Sequence, residues 1–375
     1  MKKIYLDNNA TTFVCPEVVT TILEEIRASP ANPSSIHSWG QAAKKRLNSY
    51  RQTIANYFSV EPQEILFTSG GTESMNLLIR GMFSNRIAGH AITSSIEHAC
   101  VHHTLIDLQK RGLDVTFLPP LAHGTISPQA VEEAIRPDTA FVCLFAVNSE
   151  TGAKNDLEAI AAICQKRKIP LLVDGVASLG KESITLYPGI AGMGFSGHKI
   201  HGPQGSGCVI VRSFLKLSAS YTGALQEYGL RPGTENLPAI AGFATAISLL
   251  NTALPEAEHR MRSLRDHLQQ ELLKISSDFR VHGGDNRICN LLNLSFGKHR
   301  GEDLLIALDL AGIAVSHGSA CSAGALEPSR VLTQMGVPFA TAKASLRFSL
   351  SRYTTKEEID RTIALLNNLV AYSGY

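Results

Sequence analysis

The sequence predicts an α/β protein: a large, mostly parallel sheet covered by helices, followed by a smaller α/β region toward the C-terminus. Three observations lead there. Short, continuous apolar runs of strand length recur from Ile65 to Val211, as expected of strands buried on both faces. Helical apolar spacing lies between most of them, and strands alternating with helices build parallel sheets. The charged, helix-rich stretch from Pro238 to about Ile275 carries no strand signal and separates this alternation from a shorter second one.

In order along the chain, Ile4-Tyr5-Leu6 predicts a short strand and Asp7 to Thr12 a polar turn. A helix begins near Pro16, because proline suits the first helical turn. Asn32-Pro33-Ser34-Ser35 is a second turn, and Ser38 to Tyr57 has helical spacing. Strands are predicted at 65–67, 91–93, 115–118, 141–145, 171–173 and 208–211, with helices such as Leu157 to Arg167 between them. A binding site on such a sheet belongs beyond the carboxyl ends of its strands. The second region offers a strand at 291–296, a helix from Glu302 to Leu310 and a strand at 346–350. Its final helix opens on Thr355-Lys356-Glu357-Glu358, which has capping-box spacing.

Composition narrows the chemistry. The chain has 375 residues, 18% charged, with a net charge of +2. That near-neutral balance argues against nucleic acid or an anionic membrane as a direct partner, since both need concentrated basic surface. The basic start, Lys2-Lys3, is followed by too short an apolar run for a signal peptide, and no apolar run approaches membrane-spanning length. A soluble, cytoplasmic protein acting on small molecules is expected. The seven cysteines are scattered without a C-x-x-C pair, so neither a disulfide framework nor a thiolate zinc site is indicated. Most should be core thiols.

Three features carry candidate chemistry. Ser196-Gly197-His198-Lys199, before a glycine-rich run, sets one lysine among small hydrogen-bonding groups, where an unprotonated amine forms a Schiff base with a carbonyl. Alone, this is also a plain surface lysine before a turn. Thr68-Ser69-Gly70-Gly71-Thr72-Glu73-Ser74 closes a strand and opens a helix, so its backbone N–H groups and hydroxyls can cradle a phosphate. It is neither a Walker A loop nor G-x-G-x-x-G, and a well-capped tight turn would read the same way. Asp174 ends an apolar strand, where a carboxylate needs a cationic partner or an N-cap role. Together they supply what pyridoxal 5'-phosphate (PLP) requires: an amine for its aldehyde, an anion cradle and a carboxylate for its ring nitrogen.

With those residues in place, the chain resembles the NifS/IscS-type cysteine desulfurases, PLP enzymes of aminotransferase class V. Tyr5 to Thr12, Asn32 to His37, Thr68 to Ser74, Glu97-His98, Asn148 to Gly152, Ser196 to Lys199, Arg231 to Asn236 and Ser345 to Ser349 look like the family's motifs in order. The resemblance implies the aminotransferase fold type I. It implies a large PLP-binding domain at 16–255 and a small domain made of 1–15 plus 256–375. It also implies that Lys199 holds PLP, Asp174 faces its ring nitrogen, and His98 stacks on the ring and moves protons. Gly71, Thr72, Ser196 and His198 would bind the phosphate, joined by Thr234 from a second copy, which makes a homodimer. Arg347 would take the carboxylate of L-cysteine, helped by Asn148 and Asn32, with Asn148 also at the cofactor.

The spacing of His98 and His102 also permits zinc, but no third ligand and no H-E-x-x-H are evident, so no metal is expected. Cys321 stands apart from the other cysteines. Its neighbours, from Val315 to Pro328, are rich in glycine, serine and alanine, which build no core and predict a mobile loop. The loop resembles the family's longer type, whose cysteine takes sulfur as a persulfide and passes it to an acceptor protein. That acceptor would be an iron-sulfur scaffold or a tRNA-thiolation relay. His317 is placed to lower the Cys321 pKa. Two positions depart from the family: Ala177 replaces a usual glutamine three residues after the aspartate, and Ser149 a frequent asparagine. They keep open a selenocysteine lyase, another class V enzyme, or a catalytically weakened sulfur-transfer scaffold.

Overall fold

The strand-length runs between residues 65 and 211 join into one seven-stranded sheet, and the rest of the chain contributes a three-stranded and a two-stranded sheet. This computed structural model describes residues 3–28, 31–84, 89–318 and 328–372. Its strands are β1 (Ile4–Tyr5), β2 (Ile65–Thr68), β3 (Gly89–Ser94), β4 (Leu113–Leu118), β5 (Thr139–Phe145), β6 (Leu171–Asp174), β7 (Ile190–Ser196), β8 (Gly207–Val211), β9 (Phe279–His282), β10 (Leu291–Phe296), β11 (Ile313–Ala314) and β12 (Ser345–Ser349). Its helices are α1 (Pro16–Arg27), α2 (Ser38–Phe58), α3 (Gly71–Phe83), α4 (Ala99–Gln109), α5 (Pro128–Ala134), α6 (Leu157–Arg167), α7 (Leu237–Ile275), α8 (Gly301–Leu310), α9 (Arg330–Gln334), α10 (Phe339–Lys343) and α11 (Lys356–Tyr372).

The large sheet has the order β2-β8-β7-β6-β5-β3-β4, and β8 alone among its strands runs against the others. Successive strand residues point to opposite faces, and both faces are apolar. Leu66, Phe141, Cys143 and Leu172 pack against α3 and α4, whereas Phe67, Val142, Leu144 and Val173 pack toward α1, α2 and α7. This double burial removes the alternation from the sequence and leaves continuous apolar runs. Burying a side chain such as Phe141 or Phe195 completely contributes about 1.5–3 kcal/mol.

Strand β7 was not among the expected strands. Its glycines weaken the strand signal, but a Cβ at Gly192 would come within 2.5 Å of Leu78 Cδ2, so close packing of α3 requires glycine there.

Helix α7 is a single element across the charged stretch, with Pro255 inside it. Its N-terminal part, through Leu250, belongs to the core beneath the large sheet. From Ala257 onward it joins a separate core with β9, β10, β12, α8, α11 and the N-terminal Ile4 and Leu6. Pro255 lies between the two cores, where its missing N–H costs a helical hydrogen bond. Contrary to the expectation that no apolar run approaches membrane-spanning length, part of α7 is apolar and long enough to cross a membrane; 61% of that window is buried inside the protein, as in a core helix. The parallel pairing of β1 with β11 ties the N-terminus to the C-terminal region.

Candidate active site

Thr68, Ser94, Phe145, Asp174 and Ser196 end β2, β3, β5, β6 and β7, and these strands run the same way. The segments that follow meet in a cleft of about 560 Å³, lined among others by Thr72, His98, Asn148, Asp174, Ser196 and Lys199. Residues far apart in sequence therefore converge because they follow neighbouring strand ends.

Lys199 closes a 3₁₀ turn, Gly197–Lys199, directly after β7. The N-terminal Asp7 to Thr12 segment clamps this turn. Thr12 donates from N and from Oγ1 to the His198 carbonyl, both at 2.8 Å, and accepts at Oγ1 from His201 N–H at 2.8 Å. Thr11 Oγ1 pairs with His198 Nδ1 at 3.1 Å. Burial, with the Lys199 and Lys181 cations, pushes His198 down to about 4, so its imidazole is neutral at ordinary pH.

The anion cradle stands at the N-terminus of α3. A Cβ on Gly71 would come within 2.5 Å of Val176 Cγ2, so this approach to the Asp174 turn requires glycine. Ser196 is 2% exposed, and its buried Oγ has no hydrogen-bond partner. That orphaned hydroxyl and the first turn of α3 border one recess, with Gly71, Thr72 and His198 in its wall. Unsatisfied donors around a helix N-terminus suit a phosphate group. The residues therefore fit PLP.

Asp174 is 6% exposed and accepts from Val176 N–H at 3.0 Å. His98 caps α4 rather than lying in it, accepting at Nδ1 from Cys100 N–H at 3.2 Å. Neutral His98 thus carries its proton on Nε2. Burial pulls its pKa down, Asp174 opposes this, and the Lys199 and Arg330 cations add to it. Because His98 is a cap, the spaced pair His98 and His102 does not act as one helical face; His102 packs on Phe117 instead. Among the described residues, the donor atoms that do gather are those of His98, Cys100 and Asp174, within 4.8 Å of one another. They line the same cleft as Lys199 and Ser196.

Asn148 organises its own loop as well as lining the cleft. Its Oδ1 accepts from Glu150 N and Thr151 N at 3.0 Å, and its Nδ2 donates to the Ile96 carbonyl at 3.2 Å. Arg347 lies behind Ser149, donating to its carbonyl at 3.1 Å and to Asp7 Oδ1 at 2.8 Å. Asn32 and Thr234 are exposed and are not brought into this chain's own cleft; Asn32 accepts from Ser34 N at 2.9 Å within its turn. The Thr234 segment is fixed from behind by Arg231, which pairs with Glu73 at 2.8 Å. Ala177 presents only a methyl group to the cleft. Cys321 lies outside the described residues. Before it, His317 donates from Nε2 to the Lys343 carbonyl at 3.0 Å.

Several residues of this site were given no role of their own in the sequence. Thr11 and Thr12 carry no chemical signature until the fold lays them across Lys199. Cys100, half-buried in the cleft wall, stood among histidines that drew attention first. Glu97 is 1% exposed and held by Ser94 Oγ at 2.6 Å; burial pushes it up to about 8. The other described cysteines, 15, 143, 164, 208 and 289, are buried thiols, as expected.

A doubly covered sheet with its lysine, carboxylate and anion cradle at the strand ends defines a PLP-dependent enzyme of the aminotransferase type. The chain belongs to the aminotransferase class-V family, whose model matches residues 4–362. It is 39% identical over 372 residues to the cysteine desulfurase IscS of Methanosarcina thermophila, covering 98% of this chain and 92% of that one. A solved NifS-like protein superposes with a TM-score of 0.92 at 31% identity, over 99% of this chain and all of the other. A structure of SspA in complex with cysteine superposes with a TM-score of 0.83 at 34% identity, over 94% of this chain and all of the other.

Proposed function

We propose that this chain is a PLP-dependent cysteine desulfurase, taking sulfur from L-cysteine, leaving L-alanine, and holding the sulfur as a persulfide on Cys321. The observation that carries the reading is the meeting of Lys199, Asp174 and the unsatisfied Ser196 hydroxyl in one cleft. Similarity to proteins named cysteine desulfurase supports the choice of reaction. Bound PLP supplies the electron sink that makes the substrate Cα proton removable.

The chain's own residues have distinct tasks in this reading. Lys199 offers the amine for the cofactor aldehyde, and Asp174 the carboxylate for the ring nitrogen. Gly71, Thr72, Ser196 and His198 bind the phosphate, and Asn148 shapes the wall beside it. His98, neutral and protonated on Nε2, covers the ring and passes protons. Arg347 receives the substrate carboxylate as a bidentate pair. The Cys321 thiolate forms a bond to the substrate sulfur as the substrate Cβ–S bond breaks. The electron pair stays on carbon, which is protonated to give alanine.

The assembly belongs to the same proposal. Val19, Leu23 and Ile26 on α1 and Ile36 and Trp39 around the start of α2 are exposed apolar residues flanking Asn32 in the sequence, the kind of residue a second copy covers. A homodimer would bring Thr234 and Asn32 to the neighbouring cleft. The boundary near Pro255, between the two cores, supports domains at 16–255 and at 1–15 plus 256–375. The sulfur acceptor is an iron-sulfur scaffold or tRNA-thiolation relay protein of the cytoplasm, with no direct contact to nucleic acid or membrane.

The test is direct. Purified protein should be yellow, lose the colour on borohydride reduction, and release equal amounts of alanine and sulfide from L-cysteine with a reductant. Colour with turnover only on selenocysteine would assign a selenocysteine lyase. Colour without turnover would favour the weakened scaffold, the reading that the Ala177 methyl supports. Absence of colour would overturn PLP binding.

A further inference from the structure

A buried lysine that the reaction above does not use lies against the one it does. Lys181 is 4% exposed, and among the described residues no carboxylate lies within ion-pair distance of its amine. Its Nζ donates instead to the main-chain carbonyl of Lys199. The Lys181 turn is held from the opposite side by Cys289, which precedes β10. Cys289 Sγ–H donates to the Lys181 carbonyl at 3.1 Å, and Cys289 N–H to Glu182 Oε1 at 3.1 Å. Glu182 is occupied by Lys154 at 2.9 Å and Arg262 at 3.1 Å. Arg352, 8% exposed and with a buried Nη1 lacking a partner, adds a second cation to this region.

Burying an amine without a counter-charge is expensive, and natural cores rarely do it. We propose that Lys181 is a positioning residue for Lys199: it pins the main chain of the Lys199 turn and places a second amine in the electric field of the reacting one. The inference rests on Lys199 being the PLP anchor. A neighbouring cationic group is an established way to keep a Schiff-base lysine reactive, because it disfavours a second positive charge nearby.

Burial and the two cations that face Lys181 act in the same direction. Burial pushes Lys181 down to about 7, the Cys289 thiol opposes this, and the Lys199 and Arg352 cations lower it further. The same amine contributes to the depression of His198, to about 4, and of His201, to about 3, after burial in each case. The one carboxylate beside this turn, Glu182, is already paired with Lys154 and Arg262, so Lys181 has no counter-charge of its own.

Two substitutions separate the charge from the bond. Lys181→Gln keeps a donor for the Lys199 carbonyl and removes the charge, whereas Lys181→Arg keeps both. The measurement is the pH titration of the visible absorbance of the purified holoprotein, with thermal melting at one pH beside it. In Lys181→Gln the titration midpoint should move upward by about one pH unit. In Lys181→Arg, whose guanidinium stays charged where an amine titrating near 7 does not, it should lie at or below the wild type. A Lys181→Gln midpoint equal to that of the wild type, with only the melting temperature lowered, overturns the proposal and leaves Lys181 a packing residue. If Lys181→Gln does not fold, Lys181→Arg decides: an upward shift there overturns the proposal, and a midpoint at or below that of the wild type with retained cofactor supports it. A wild-type protein with no titrating band overturns the PLP reading itself, a result distinct from either.

Discussion

Arg347 and Asp7 form an ion pair at 2.8 Å between β12 and the turn after β1, with the arginine side chain 3% and the aspartate side chain 17% exposed. The same guanidinium donates to the Ser149 carbonyl, and its buried Nε has no partner. Asp7 therefore fixes the fork behind Ser149, which lines the cleft. A planar guanidinium can keep that contact and still pair with a second carboxylate, which a lysine ammonium on a flexible stem cannot do in the same geometry. Arg347→Lys should raise KM for L-cysteine at least about tenfold, equivalent to about 1.4 kcal/mol of binding. The visible spectrum of the resting cofactor should be unchanged. Steady-state kinetics together with that spectrum check it, and a wild-type KM would remove Arg347 from substrate binding.

In the proposed reaction Cys321 separates cofactor chemistry from sulfur transfer. Lys199 and Asp174, which line the described cleft, are in that reading enough to hold the cofactor and meet an amino acid. Cys321→Ser should keep the spectral response to L-cysteine yet form no persulfide and lose nearly all sulfide release. Mass spectrometry of the protein after one turnover is the check. Sulfur retained on the Ser variant would assign the acceptor thiol elsewhere, with Cys100 in the cleft wall the first residue to replace.

The large sheet was legible because its strands are buried on both faces: runs such as Phe141 to Phe145 need no partner to be recognised. Asp174 was legible for a related reason: it ends an apolar run with a group that is costly to bury unless it has a task. Lys199 was legible from its small hydrogen-bonding neighbours, and the Gly70-Gly71-Thr72 loop from its place between a strand and a helix. β7 was hidden by the glycines that let α3 pack on it. The unity of α7 was hidden by Pro255 and by a change of buried face as the helix passes from one core to the next. The role of Thr12 was invisible because a threonine in a polar turn has many uses, and only the fold brings it to the His198 carbonyl. Lys181 carries no signal in the sequence; its turn is held by Cys289, over a hundred positions away.

Arg51 and Glu227 make a buried pair at 2.5 Å, with side chains 6% and 1% exposed. Glu227 also accepts from Phe67 N–H at 2.8 Å, although its backbone is in the left-handed region at φ 45°. The pair anchors the segment that leads to Arg231 and Thr234 against the strand that feeds the anion cradle. Removing one member leaves the other charge buried alone, which typically costs about 3–5 kcal/mol. Arg51→Met should lose about that much in urea unfolding, and should weaken PLP retention on dialysis because both sides of the cradle loosen. A loss below about 1 kcal/mol, the range of an exposed pair, would contradict the role given to this contact.

Acid should destabilise the protein through its buried histidines, and His282 isolates the effect away from the cleft. This residue of β9 is 8% exposed and pairs through Nε2 with Ser295 Oγ at 2.7 Å. Burial pushes it from the usual 6.5 down to about 4. Between those values the unfolded chain binds a proton that the folded chain refuses. Stability is therefore intact above pH 6.5 and is lost as pH falls toward 4. At pH 5 the linkage amounts to about 2 kcal/mol relative to neutral pH. His282→Gln retains an amide for Ser295 but does not titrate. Its unfolding free energy should fall less between pH 7 and pH 5 than that of the wild type, by about that 2 kcal/mol. Urea unfolding of both proteins at the two pH values measures the difference, and parallel losses would show that His282 is protonated in the native state.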